Sequence, residues 1–112
     1  MTRLEAAPGY ELLAAVLDEA LQQAQAGKGM ERHAFSGDRF EQQTIVALNE
    51  LLGTIHGQVY QAAKKAIEAT RLDPARARRD LLGAINYLGA AVVQIDRAAA
   101  RGGATGEELV QP

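Results

Sequence analysis

The stretch Ala69-Thr70-Arg71-Leu72-Asp73-Pro74-Ala75-Arg76 decides the fold. It separates two runs whose apolar residues recur at helical spacing. Proline lacks an amide hydrogen and suits only the first turn of a helix, and an aspartate just before it can cap that turn. One helix therefore ends near Leu72 and the next begins at Pro74. Upstream, Ile45, Leu48, Leu52, Ile55, Val59, Ala63 and Ala66 form a near-heptad seam, which predicts a long helix over 39–72. Downstream, Leu81, Ile85, Leu88, Val92 and Ile95 form the stripe of a helix over 74–100, with Gly102-Gly103 as its stop. Two long helices joined by a tight turn make an antiparallel hairpin.

The pattern continues on both sides of the hairpin. Leu13, Val16, Leu17, Ala20, Leu21 and Ala24 line one face of a shorter helix over 10–26, preceded by Pro8-Gly9 and stopped by Gly27. The segment from Gly27 to Gly37 has neither helical nor strand period and reads as a long loop. Asp38-Arg39-Phe40-Glu41 reads as a capping box opening the long helix. Residues 102–112 hold three glycines, two acids and a terminal proline, and read as a disordered tail. There are no repeats and no strand signals. The expected fold is all-α: a single domain over 1–101, made of a long antiparallel hairpin and a shorter N-terminal helix.

Composition adds an expectation about assembly. The chain has 112 residues, 47% hydrophobic, but only 4% aromatic. Alanine supplies 22 of them. A core of alanine and a few aliphatic residues is thin at this size, so the hairpins are expected to pair in a homo-oligomeric bundle. The absence of cysteine excludes disulfides and thiol chemistry and fits a reducing compartment. No apolar run approaches a membrane span, and the first residues lack the apolar core of a signal peptide, so a cytoplasmic location is expected. The net charge of -2 argues against a polyanionic partner such as DNA or RNA. Charge is nevertheless uneven: Lys64, Lys65, Arg71, Arg76, Arg78 and Arg79 make the hairpin tip basic. A solvated tip is the plainer reading of that cluster, since no nucleic-acid motif accompanies it.

Three places hold residues able to carry chemistry. On the long helix, Glu50, Thr54, Gln58, Gln61, Lys65 and Glu68 project to the solvent side of the helical wheel, opposite the seam. A shoulder between them holds His56, Tyr60 and Lys64, stacked at spacings of four, together with Arg71. Gly53 and Gly57 lie beside this line. Glycine weakens a helix interior, so either another helix or a flat ligand approaches there. In the loop, Lys28, Arg32 and His33 stand among glycines and would wrap an anion, or else form a solvated connector. On the third helix, Asn86 flanks an apolar stripe and would fix helix register or read a ligand's polar edge. Tyr87 falls on the other flank, as a surface or interface residue.

Enzyme signatures are sparse. Two histidines without an HxxxH or HExxH pattern give no zinc site, and no GxSxG elbow occurs. No catalytic residue, metal or cofactor is assigned.

The run Lys28-Gly29-Met30-Glu31-Arg32-His33, with Phe40-Glu41-Gln42-Gln43, Gly57-Gln58, Lys64-Lys65, Glu68 and Leu81-Leu82-Gly83-Ala84-Ile85-Asn86-Tyr87-Leu88, resembles small all-helical proteins of tailed phages and prophages. The resemblance spans roughly Gly27 to Ile95 and implies a host-cell cytoplasmic setting. In size and helical hairpin the chain is also similar to phage sponges that sequester cyclic-nucleotide or ADP-ribose-type signals of bacterial defence systems such as CBASS and Thoeris. A further similarity is to the all-α nucleoside triphosphate pyrophosphohydrolases of the MazG type, which hold magnesium with ExxE and ExxD pairs. Here Glu50-Leu51-Leu52-Gly53 and Asp80-Leu81-Leu82-Gly83 keep only the first carboxylate of each pair.

The glycine-notched helix, the basic glycine loop and the thin core point to a non-enzymatic binder of a nucleotide-type small molecule, and the similarity to phage sponges implies that it sequesters a cyclic-nucleotide or ADP-ribose-type immune signal. Lys28, Arg32 and His33 would meet phosphates, His56 or Tyr60 would stack on a base, Lys64 or Arg71 would complete the charge pairing, and Asn86 would read a base edge. The alternatives are a protein-binding inhibitor or structural module docking through the hairpin, and a degenerate pyrophosphohydrolase.

Overall fold

The computed structural model describes residues 5–26 and 39–102. Its elements are α1 (Glu11–Ala26), a 3-10 turn (Phe40–Gln42), α2 (Thr44–Leu52), α3 (His56–Ala69) and α4 (Pro74–Gly102). No strand occurs among the described residues. The all-α class is correct, and α1 lies where its apolar spacing predicted it. Gly9 adopts φ +94°, and its amide donates to both oxygens of the Glu11 carboxylate at 3.1 and 3.0 Å. That local clasp turns the chain into α1.

The hairpin turn also forms as the sequence indicates. The Arg76 amide donates to Oδ1 of Asp73 at 3.1 Å, and the Ala77 amide donates to the Asp73 carbonyl at 2.8 Å. The Asp73 side chain thus satisfies one of the amides that a helix start leaves without partners, and its carbonyl accepts the first bond of the helix. From Pro74, α4 runs unbroken for 29 residues, two beyond the expected end. α1 and α3 pack mainly onto this one helix, and α2 packs against both it and the 3-10 turn.

The single helix expected over 39–72 is two helices. Gly53 takes the left-handed conformation, φ 72° and ψ 28°, and its amide bonds back to the carbonyls of Asn49 and Glu50. This is a glycine stop, the commonest way to end a helix. Thr54 restarts the chain: its Oγ1 accepts the His56 amide at 3.0 Å. The helix start differs too. Gln42 Oε1 accepts the Arg39 amide at 2.9 Å, which winds a 3-10 turn before α2 begins at Thr44. Glu41, expected to reach back as a cap, instead accepts Arg39 Nε at 2.7 Å. Asp38 lies outside the described residues, as do the loop from Gly27 to Gly37 and the tail beyond Gly102.

Breaking the helix changes which faces are buried. In α3 the buried residues are Gln58, Ala62 and Ala69, with Gln61 and Lys65 half-buried. Val59, Ala63 and Ala66, assigned from the sequence to the core seam, are exposed. In α4, Leu82, Gly83, Ala84, Ala90, Ala91 and Gln94 are buried. Leu81, Leu88 and Val92 of the apolar stripe are about half exposed, while Ile85 and Ile95 are intermediate. Small residues on the facing sides of α3 and α4 let the backbones approach, and the longer apolar residues fall outside. A Cβ at Gly83 would meet the Lys65 side-chain stem at 3.3 Å. The apolar core is correspondingly small: a cluster of Ile45, Val46 and Ala90 with Phe40 and Tyr87 packed against it, and otherwise Leu82 and the alanines Ala20, Ala62, Ala69, Ala84 and Ala91. Tyr87 therefore supports the core rather than standing on the surface.

Candidate functional site

The described candidate residues separate into two groups. His56, Tyr60 and Lys64 lie one turn apart on the exposed face of α3, and Arg71 is exposed just beyond its end. The first three share one solvent-facing side of the helix. Lys64 and Arg71 make no ion pair among the described residues. Asn86 points elsewhere. It is half-buried on α4, and its Nδ2 donates to the Ala20 carbonyl of α1 at 2.9 Å. That bond fixes the position of α1 along α4, the register role open to it from the sequence. Lys28, Arg32 and His33 lie outside the described residues.

A groove of about 430 Å³ runs between α1 and α4, lined by Glu19, Gln22, Gln23, Ala75, Arg78, Arg79 and Leu82. Its charges are partly satisfied within the fold. Arg78 donates from both terminal nitrogens to the two Glu19 oxygens, each at 2.7 Å. This fork holds the Glu19 carboxyl below the usual carboxylate range. Gln23 Nε2 reaches the Arg79 carbonyl at 3.4 Å. Among the described residues that line the groove, Arg79 is the cation without a carboxylate partner.

Glu50 does not lie on the solvent side, where the unbroken helix would have put it. Its side chain is 16% exposed and accepts Arg97 Nε at 2.8 Å, with both terminal nitrogens of Arg101 at 3.4 Å. The Arg97 hydrogen bond, opposed by burial and helped by Arg101, lowers the Glu50 pKa. Glu41, with Arg39 at 2.7 Å and Arg97 at 4.0 Å, extends the cluster. Its pKa is lowered first by its own backbone amide and then by Arg39. The cluster ties the 3-10 turn and α2 to the C-terminal half of α4. The carboxylate that a MazG-type magnesium site would use is thus engaged by two guanidinium groups. Gly83, at the position of a missing second carboxylate, lies beneath the Lys65 stem. Among the described residues, no three His, Asp or Glu side chains are grouped to hold a metal ion.

The most buried polar feature was not found by sequence reasoning. Gln58, assigned to the solvent side, is only 1% exposed. Its Nε2 donates to the Ile45 carbonyl at 3.1 Å and to Gln94 Oε1 at 2.6 Å. Gln94 Nε2 in turn donates to the Thr54 carbonyl at 2.9 Å. The pair links α2, the Gly53 break, α3 and α4. The one available signal was Gln94 itself, a lone amide within Ala90-Ala91-Val92-Val93-Gln94-Ile95. Gln58 Oε1 has no hydrogen-bond partner among the described residues.

Compared with known protein families, with curated proteins and with solved structures, the chain matches none.

Proposed function

We propose that this chain is a non-enzymatic protein-interaction module that assembles first with itself, as a homo-oligomeric helical bundle. One observation carries the reading. Leu81, Leu88 and Val92 of the α4 stripe and Val59 and Ile67 of α3 stand about half exposed, while the buried residues of these two helices are alanine, glycine and glutamine with Leu82 as the one large apolar member. Soluble monomers rarely leave a contiguous apolar face of this kind uncovered. The largest fully buried side chains are Gln58 and Val46, a core far too small to spend the sequence's leucines and isoleucines. Sedimentation velocity of the purified chain, from about 1 to 200 µM, tests the reading. A mass that rises to a defined oligomer supports it. A monomer across the whole range overturns it.

A second reading keeps the nucleotide-type ligand. His56, Tyr60 and Lys64 form one exposed line of a ring donor, an aromatic face and a cation, and among the described residues none of the three is engaged by another side chain. Such a line stacks a base and pairs a phosphate once a second surface covers it. Heat release from the purified protein followed by mass spectrometry tests this reading. The chain has no tryptophan and three tyrosines, so bound nucleotide would dominate its near-ultraviolet absorbance. A phage setting and the sequestering of a defence signal would follow from the ligand's identity.

A further inference from the structure

The outward stripe of α4 has an internal symmetry. Its members are Leu81, Ile85, Leu88, Val92, Ile95 and Ala99, at alternating spacings of four and three. That alternation is a heptad seam. It is also palindromic about residue 90. Reversing the helix direction sets Leu81 against Ala99, Ile85 against Ile95, and Leu88 against Val92. Each opposed pair then combines the two different seam positions of the heptad, which is the layering of two antiparallel helices.

Gly89 supplies a separate observation. The other described glycines have a reason within the chain: Gly9 and Gly53 have positive φ, Gly57 abuts Asn49, Gly83 lies under Lys65, and Gly102 is the last residue of α4. Gly89 has none of these. It is exposed in mid-helix, its φ is helical, and a Cβ there would meet nothing within 4 Å. Glycine is among the poorest helix formers, so its presence in a long helix calls for a close approach from outside. It lies beside the stripe at its midpoint. There a two-fold axis brings each helix nearest to its own copy.

We infer that two copies of this chain pair α4 against α4, antiparallel, about a two-fold axis beside Gly89. The inference rests on the self-assembly reading above and names its contact. A two-fold interface needs a patch that is complementary to itself, and a palindromic seam is one. The stripe spans roughly 27 Å at the helical rise of 1.5 Å per residue. Pairing it buries on the order of 400 Å² of apolar surface per copy, against about 800 Å² per partner in a standard interface. It therefore forms the apolar centre of such an interface. Val59, Ala63 and Ile67 on the outer side of α3 provide further exposed apolar surface on the same hairpin.

The test uses the full chain, whose lack of cysteine makes single-site cross-linking clean. Gly89→Cys is expected to form a disulfide-linked dimer under mild oxidation, because that bond needs Cα atoms about 4.4–6.8 Å apart. Thr70→Cys, far from the axis, is expected to remain uncross-linked. Leu88→Lys and Val92→Lys are each expected to raise the dimer dissociation constant at least about tenfold, by placing a charge in the apolar seam. Leu12→Lys, at a leucine 86% exposed on α1, is expected to leave it unchanged. A monomeric wild-type chain overturns both this inference and the self-assembly reading. An oligomer that withstands both α4 lysines overturns this contact alone. So does an oligomer in which Gly89→Cys fails to cross-link, a readout that does not depend on the lysine variants folding.

Discussion

Gln58 on α3 and Gln94 on α4, 36 residues apart, share a hydrogen bond of 2.6 Å in the most enclosed part of the molecule. The bond is one of a chain: Ile45 carbonyl, Gln58, Gln94, Thr54 carbonyl. Removing one member leaves the others buried without a partner, which is costlier than removing both. Gln58→Leu alone is expected to destabilise the fold by about 1–3 kcal/mol. The double variant Gln58→Leu, Gln94→Leu should recover part of that loss. Urea unfolding of the two single variants and the double variant measures the coupling. Additive losses would contradict a shared network.

Gly57 and Asn49 face each other across the break between α2 and α3. A Cβ at Gly57 would lie 3.1 Å from Asn49 Cγ and 3.2 Å from its Nδ2, and closer still to Oδ1. Alanine normally stabilises a helix by about 1 kcal/mol over glycine. At Gly57 the sign should reverse, with Gly57→Ala costing about 1–2 kcal/mol through overpacking. Adding Asn49→Ala should restore most of the loss. Thermal melts of the single and double variants decide it.

The acidic side of the stability profile follows from five carboxylates. Glu11, Glu19, Glu41, Glu50 and Asp73 all have lowered pKa values in the fold. The causes differ: the leading one is its own amide for Glu11 and for Glu41, the Arg78 bond for Glu19, the Arg97 bond for Glu50 and the Arg76 bond for Asp73. As pH falls, the unfolded chain takes up protons first, so stability falls with it. The contribution is complete above the ordinary carboxylate range, about pH 4–5, and is lost as pH drops through the lowered values. The melting temperature should therefore decline below about pH 5. The decline should be shallower in Glu50→Gln and in high salt, since most of these pairs face solvent. An acid limb unchanged by Glu50→Gln would show that the Arg97–Arg101 cluster contributes nothing.

Asn86 of α4 bonds through its side chain to the α1 backbone. Asn86→Ala should loosen α1 selectively and leave the hairpin intact. Hydrogen exchange is expected to quicken across α1 while the amides of α3 and α4 keep their protection. Uniform loss of protection would mean that α1 and the hairpin unfold as one unit.

The hairpin was legible because its signals are local. Asp73-Pro74 specifies a helix boundary by backbone chemistry alone, and the apolar spacing of α1 and α4 needs no tertiary help. The break at Gly53 was less legible. Glycine is tolerated inside a helix and favoured just past its end, and only the backbone conformation separates the two uses. Once the break was missed, the helical wheel ran in one phase through both halves. Glu50 and Gln58 were then assigned to solvent, though both are held by partners on α4. Burial was misread for a second reason. Apolar periodicity identifies a face that must be covered, but not whether the same chain covers it. Leu88 at 50% and Val92 at 56% exposure are members of a seam that the hairpin does not close. Of the candidate site, the line His56, Tyr60 and Lys64 follows from spacing alone. The bond from Asn86 to α1 depends on a contact 66 residues apart, which no local pattern encodes.

α4 serves as a single spine. α1 grips its N-terminal half at Arg78, Arg79 and Asn86, while the 3-10 turn and α2 grip its C-terminal half at Arg97 and Arg101. A displacement imposed at one end reaches the other along α4 and through α3, which packs beside it. The stretch from Asn86 to Arg97 is the span between the two grips, and it contains a glycine. The pairing of α3 with α4 therefore sets how far the two ends of the molecule move as one body.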